Sequence, residues 1–183
     1  MSLFSRRKVA AAVRTEEDFQ AALNSQVDVV FMHGTNLLSL DEQIKSAHDA
    51  GKKLFIHMDF AEGIGKDRAG LEYVKLRGAD GILSTKTSMI RQARETGLTT
   101  VQRFFIVDSH SVDTAVESIR IAKPDIVEIM PGVVCKKIVE FAEKVDTPIL
   151  VGGLVEFKDE VDNALAAGAK GISTAARELW DYK

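Results

Sequence analysis

The sequence predicts an α/β fold, a compact (β/α)8 TIM barrel with phosphate-binding loops after strands 7 and 8, and three observations predict it. Apolar runs alternate with amphipathic stretches eight times along the chain. Several amphipathic stretches stop at a glycine (Gly51, Gly78, Gly97, Gly168) shortly before the next apolar run, as helices with a left-handed cap do. The third is an internal echo, in which "LRGADGILSTK" resembles "LAAGAKGISTA". Gly78 and Gly81 recur as Gly168 and Gly171, an offset of about half the chain, as two half-barrels would give. An open doubly wound sheet is the alternative, but such sheets usually have fewer strands and no half-chain repeat.

The elements follow in order. The strands are "VAAAV", "VDVVFM", "KLFIHMDF", "GILST", "TVQRFFIV", "IVEIM", "PILVGG" and "GISTA", each a short run rich in branched or aromatic residues. The helices are "EEDFQAALNS", "LDEQIKSAHDAG", "GLEYVKLRG", "TSMIRQARETG", "SVDTAVESIRIAK", "VVCKKIVEFAEKV", "FKDEVDNALAAG" and "ARELWDYK", with Trp180 anchoring the last onto the barrel. Short βα and αβ connections throughout leave one domain over residues 1–183, long enough to bury a sizeable core.

Composition narrows the function classes. No apolar run approaches the roughly 20 residues of a membrane span, and "VAAAV" is too short for a signal-peptide core, so a cytoplasmic address without membrane contact is expected. The single cysteine, Cys135, excludes an intramolecular disulfide and reads as a small buried residue near the start of helix 6. The formal charge of −3 is not that of a protein that coats nucleic acid without selectivity. Residues 66–95 nevertheless carry Lys66, Arg68, Lys75, Arg77, Lys86, Arg91 and Arg94 against only Asp67, Glu72, Asp80 and Glu95. Solvated helix faces explain that excess as simply as a basic surface does.

Strand residues alternate between the helix layer and the barrel interior. In "LFIHMDF" the apolar set Leu54, Ile56 and Met58 belongs against helices, which turns His57 and Asp59 inward near the top. The same alternation turns Arg103 and Glu128 inward, and Lys86 follows strand 4. Any one of these charges alone reads as half of a structural pair, Arg103 with Glu128 for instance. Five titratable groups converging on one rim form a candidate ligand site. His33, after strand 2, reads as a loop histidine. His57 and Asp59 lack a third ligand in a telling position, so no metal is expected, and no cofactor.

The pair Gly152-Gly153 ends strand 7 on the rim where barrels of this class place their sites. Ser173 and Thr174 end strand 8 and open the last helix. Glycine loops beside a helix N-terminus make an anion cradle of backbone N–H groups, and Gly152, Gly153, Ser173 and Thr174 are assigned to a phosphate. The plainer reading stays open: a turn at the glycines and a helix cap at Ser173 or Thr174.

The segments "HMDF", "EGIGKDRAGLEYV", "GILSTK", "QRFFIVDS", "KPDIVEIMPGV", "PILVGGLV" and "GISTAARELW" together resemble the glycerol-3-phosphate-responsive antiterminator family, the glycerol uptake operon antiterminator regulatory proteins of bacteria. The similarity runs from about Arg14 to the C-terminus. It implies a regulator rather than an enzyme, one that binds glycerol 3-phosphate and then the leader mRNA of a glycerol-catabolic operon, preventing termination. The ligand's phosphate would then meet Gly152, Gly153, Ser173 and Thr174, and its hydroxyls Asp59, Lys86, Arg103 or Glu128. For the RNA there is no aromatic RNP motif and no GXXG loop. The basic, glycine-rich loop carrying Lys66 and Arg68, ordered beside Arg91 and Arg94, is the expected contact. The runner-up is a barrel enzyme acting on a small phosphorylated substrate, with His57, Asp59 and Glu128 as acid–base groups and Lys86 as nucleophile. A homo-oligomer is left open.

Overall fold

The computed structural model describes residues 3, 4 and 6–182. Its strands are β1 (Val9–Val13), β2 (Val29–Met32), β3 (Lys53–His57), β4 (Gly81–Ser84), β5 (Thr99–Phe105), β6 (Ile126–Met130), β7 (Ile149–Gly152) and β8 (Gly171–Thr174). All pair in parallel and in chain order, and β8 pairs back to β1, closing the barrel. Seven helices cover it: α1 (Glu16–Asn24), α2 (Leu40–Asp49), α3 (Arg68–Arg77), α4 (Thr87–Thr96), α5 (Ser109–Ala122), α6 (Cys135–Lys144) and α7 (Lys158–Ala166).

The helices begin and end for local reasons. Thr15, Asp67 and Asp108 accept the N–H three residues on at 3.1, 2.9 and 2.7 Å, which satisfies donors that a helix start leaves open. Gly78 and Gly97 close α3 and α4 with φ of 100° and 82°, a region in which a Cβ is strained. The half-chain echo also has a packing cause. A Cβ on Gly81 would lie 2.4 Å from the Phe55 ring, and one on Gly171 2.6 Å from the Phe4 ring. Both glycines thus start interior strands where phenyl rings fill the barrel floor.

Two apolar clusters match the alternation. Ala10, Val29, Phe31, Phe55, Leu83, Val101, Ile126 and Leu150 fill the interior together with Phe4, while Leu54, Ile56 and Met58 join the layer between strands and helices. Phe4, from the segment before β1, was not expected in the core.

Three expectations need correction. "ARELWDYK" forms no eighth helix; after β8 there is one 3-10 turn, Arg177–Leu179. Arg177 is held by Glu17 and Asp18 at 3.0 and 2.7 Å, and buried Trp180 donates to the Thr174 carbonyl at 2.9 Å, so the ring anchors a turn. β3 ends at His57, and Asp59 lies in the 3-10 turn Met58–Phe60 that follows. Cys135 is half-buried rather than buried.

Candidate ligand site at the barrel mouth

Above the apolar floor the barrel interior turns polar. Arg103 and Glu128 are register partners on β5 and β6, and Arg103 Nε donates to Glu128 Oε2 at 2.6 Å. The pair is 5% and 0% exposed, so each charge depends on the other. The other carboxylate oxygen of Glu128 accepts from the Ser173 hydroxyl. Arg103 Nη2 lies 3.1 Å from His33 Nε2, which extends the row from β8 to β2.

His57 stands beside this row without joining it. Its ring meets that of His33 edge-on at 5.1 Å and lies 4.6 Å from Phe60. It is 1% exposed, and neither ring nitrogen has a protein partner among the described residues. Burial first, and then the charge of Arg103, hold both imidazoles neutral, His57 lowered to about 4 and His33 to about 2. The neutral His57 ring has one donor and one acceptor free, while His33, whose Nε2 accepts from Arg103, keeps only the Nδ1–H donor.

The glycine pair has two distinct jobs. A Cβ on Gly152 would lie 2.5 Å from Ser173 Oγ and 2.8 Å from Glu128 Oε1, so only glycine leaves room for that contact. Gly153 turns the chain with φ of 72°, and Leu154 follows at 60°. Gly153 then borders a mouth cavity of about 1220 Å³ that Ala12, Arg14, His33, Arg103, Ser173 and Thr174 also line.

Of the expected site residues, Arg103, Gly153, Ser173 and Thr174 line the cavity, Glu128, Gly152 and His57 lie buried behind its wall, and Asp59 and Lys86 stand apart from it. Asp59 accepts from Ser84 Oγ at 2.6 Å and from the Thr85 amide and hydroxyl at 2.8 Å each, so its oxygens are occupied in tying β3 to β4. These bonds hold its carboxyl below the usual range against the opposing effect of burial. Lys86 is exposed at the start of α4, outside the cavity wall. The Thr174 hydroxyl donates to the Val155 carbonyl at 2.6 Å and accepts from the Ala176 amide at 3.0 Å, so it shapes the loop. Without an eighth helix there is no helix dipole behind β8, and the assigned cradle lacks that part.

The family model of the glycerol-3-phosphate responsive antiterminator matches residues 9–180. The chain belongs to that family. It is similar, at 34% identity over 98% of this chain and 95% of the relative, to the uncharacterized protein YgcP of Escherichia coli. The glycerol uptake operon antiterminator regulatory protein of Listeria monocytogenes superposes with a TM-score of 0.93 at 27% identity, over 98% of both chains. A glycerol uptake operon antiterminator-related protein of Thermotoga maritima gives 0.84 at 32% identity, over 94% of this chain and 96% of that one. The family is described by a regulatory role, antitermination, and this chain carries that family's sequence on a closed parallel TIM barrel.

Two of its mouth residues escaped the sequence reading. His33 reads as a loop residue until the register sets it opposite β1, where its amide donates to the Val13 carbonyl at 2.8 Å. Arg14 follows β1 directly, a position that signals an inward-reaching charge as Lys86 after β4 was taken to do. The RNA candidates are dispersed: Arg68 pairs with Glu72 at 2.8 Å, Lys66 donates to the Ala61 carbonyl, and Arg91 and Arg94 sit on the flank of α4. No helix among the described residues is long and apolar enough to cross a membrane.

Proposed function

We propose that this antiterminator binds glycerol 3-phosphate in the mouth cavity and, so loaded, the leader mRNA of a glycerol-catabolic operon in the cytoplasm. The ligand reading rests above all on the mouth cavity, walled by Arg14, His33, Arg103 and the Gly153 loop. His57, whose ring nitrogens have no protein partner among the described residues, is buried directly behind His33 and Phe60. Buried polar atoms without partners are rare and costly, and a vicinal diol that enters past His33 and Phe60 would reach and satisfy them. The Arg103–Glu128 pair fixes His33 from behind. At the other end of the cavity the phosphate would meet Arg14 and the backbone of the Gly153 loop, with Ser173 and Thr174 shaping the wall rather than donating.

The same contacts count against catalysis. Glu128 and Asp59 are already engaged, Lys86 lies outside the cavity, and the imidazoles are held far from a neutral working range. Thermal unfolding tests the reading. Glycerol 3-phosphate at a hundredfold excess over its dissociation constant should stabilise the protein by about 2.7 kcal/mol. Glycerol or inorganic phosphate alone should do far less. An unmoved melting temperature at millimolar glycerol 3-phosphate would refute the assignment.

A further inference from the structure

Seven of the ten exposed large hydrophobic side chains lie on loops or strand ends of one barrel face: Leu37, Leu38, Phe60, Phe105, Val107, Leu154 and Phe157. Phe60, Phe105 and Phe157 are 61%, 58% and 62% exposed and all border the mouth cavity. They belong to the loop after β3, the end of β5 and the loop after β7, so alternate strands carry a ring from one side of the mouth to the other. The cavity, about 1220 Å³, exceeds the roughly 300–1,000 Å³ of small-molecule pockets and leaves space above a three-carbon phosphate.

The charges on this rim are mixed, and its free cations are few and definite in place. Along the arc from β1 to β4 the rim presents Arg14, Lys66 and Lys86. Arg14 and Lys86 make no side-chain hydrogen bond or ion pair among the described residues. Three rim carboxylates are engaged in local hydrogen bonds, though Asp67 and Asp108 stay exposed and keep their charge at the rim. Asp59 holds the Ser84–Thr85 turn, while Asp67 and Asp108 accept amides of Gly70 and Ser111. Glu62 and Asp67 are exposed on the same arc, Glu16 and Glu17 open α1 just after Arg14, and Glu156 and Glu178 stand against Lys158 on the β7–β8 side. Spaced aromatic rings with the unpartnered cations Arg14 and Lys86 between them suit single-stranded nucleic acid, whose bases stack on flat faces while its phosphates meet the cations.

We propose that the mouth face itself is the RNA surface. Unpaired bases stack on Phe60, Phe105 and Phe157 above the filled cavity, and the phosphodiester chain follows Arg14, Lys66 and Lys86. This rests on the reading of the protein as an RNA-binding regulator, and it moves the contact from the α3–α4 flank to the rim. Bound metabolite becomes part of the floor that the bases meet, which makes RNA binding conditional on it.

The test begins with RNA selected from a randomised single-stranded pool on the full chain with 5 mM glycerol 3-phosphate, on the order of a loading excess. Selected RNA carrying 4-thiouridine is then cross-linked and the peptides identified. Cross-links should fall in the loops after β3, β5 and β7. Phe60→Ala, Phe105→Ala and Phe157→Ala should each weaken binding roughly 5- to 100-fold. Lys86→Gln should lower the slope of log affinity against log salt by about 0.7. Cross-links on α4, or a loss on Arg91→Ala/Arg94→Ala that exceeds the phenylalanine losses, would overturn the placement while leaving the RNA reading intact. Failure to enrich any RNA would sink the RNA reading, and this proposal with it. A dimer that the triple phenylalanine variant converts to monomer would assign the face to a second copy of the chain.

Discussion

A buried imidazole with no protein partner is destabilising, and a protein that keeps one keeps it for something else. Replacing His57 by phenylalanine retains the ring volume and its contacts with His33 and Phe60 while removing both orphaned nitrogens. Each such group costs about 1–3 kcal/mol when unpaired. His57→Phe should therefore melt at or above the wild-type temperature, yet bind glycerol 3-phosphate at least about tenfold more weakly, one lost hydrogen bond being enough. A lower melting point with affinity retained would mark His57 as structural. The titration gives an independent sign. An unfolded histidine protonates near 6.5, whereas His57 in the fold is held near 4 and His33 near 2. Between those values the unfolded chain binds more protons, so stability is full above about pH 6.5 and falls as the solution is acidified. Urea unfolding at pH 7, 5.5 and 4.5 should show that fall, and His57→Phe should make it shallower. An unchanged acid limb in the variant would contradict the assignment of the slope to His57.

At the scale of elements, the loop between β3 and α3 shows why glycine content misleads. Gly63, Gly65 and Gly70 suggest mobility, but two of them serve close approach. A Cβ on Gly70 would stand 1.9 Å from the Gly65 carbonyl oxygen, and one on Gly63 3.2 Å from the Leu37 side chain. The loop is also bonded to its neighbour, with the Glu62 amide donating to the Thr35 carbonyl at 3.0 Å and the Leu37 amide to the Glu62 carbonyl at 2.9 Å. Gly70→Ala should lower the melting temperature by at least about 2 °C, since a clash of this kind costs on the order of 1–3 kcal/mol in a chain of this size. A neutral result in differential scanning calorimetry would show that the loop yields. The same contrast marks what the sequence made legible. β-strands and seven helices follow from periodicity and caps, and the inward set of Arg103 and Glu128 from strand alternation. Asp59 was misplaced because a strand pattern does not reveal where a chain turns into 3-10 geometry. The eighth helix failed because Arg177 and Trp180 hold the segment through tertiary contacts instead of helical ones. His33 required the barrel register, which no local signal contains.

For the molecule as a whole, the consequence is thermodynamic. If the metabolite forms part of the floor under stacked bases, the two ligands are coupled through direct contact at one face. Linkage then requires that RNA raise the affinity for glycerol 3-phosphate by the same factor by which glycerol 3-phosphate raises the affinity for RNA. Couplings of this kind are typically about 5- to 150-fold. Two calorimetric titrations measure it, one of metabolite into protein with and without saturating selected RNA, the other of RNA with and without saturating metabolite. Because Phe60 borders the cavity and stacks a base in this account, Phe60→Ala should reduce the coupling factor as well as the RNA affinity. Arg14→Gln should behave differently, weakening both ligands, since Arg14 borders the cavity and is also one of the unpartnered cations of the rim. If Phe60→Ala loses RNA affinity but keeps the full coupling factor, the metabolite acts on RNA through another part of the barrel, and the direct-contact account fails even though the surface is correctly placed.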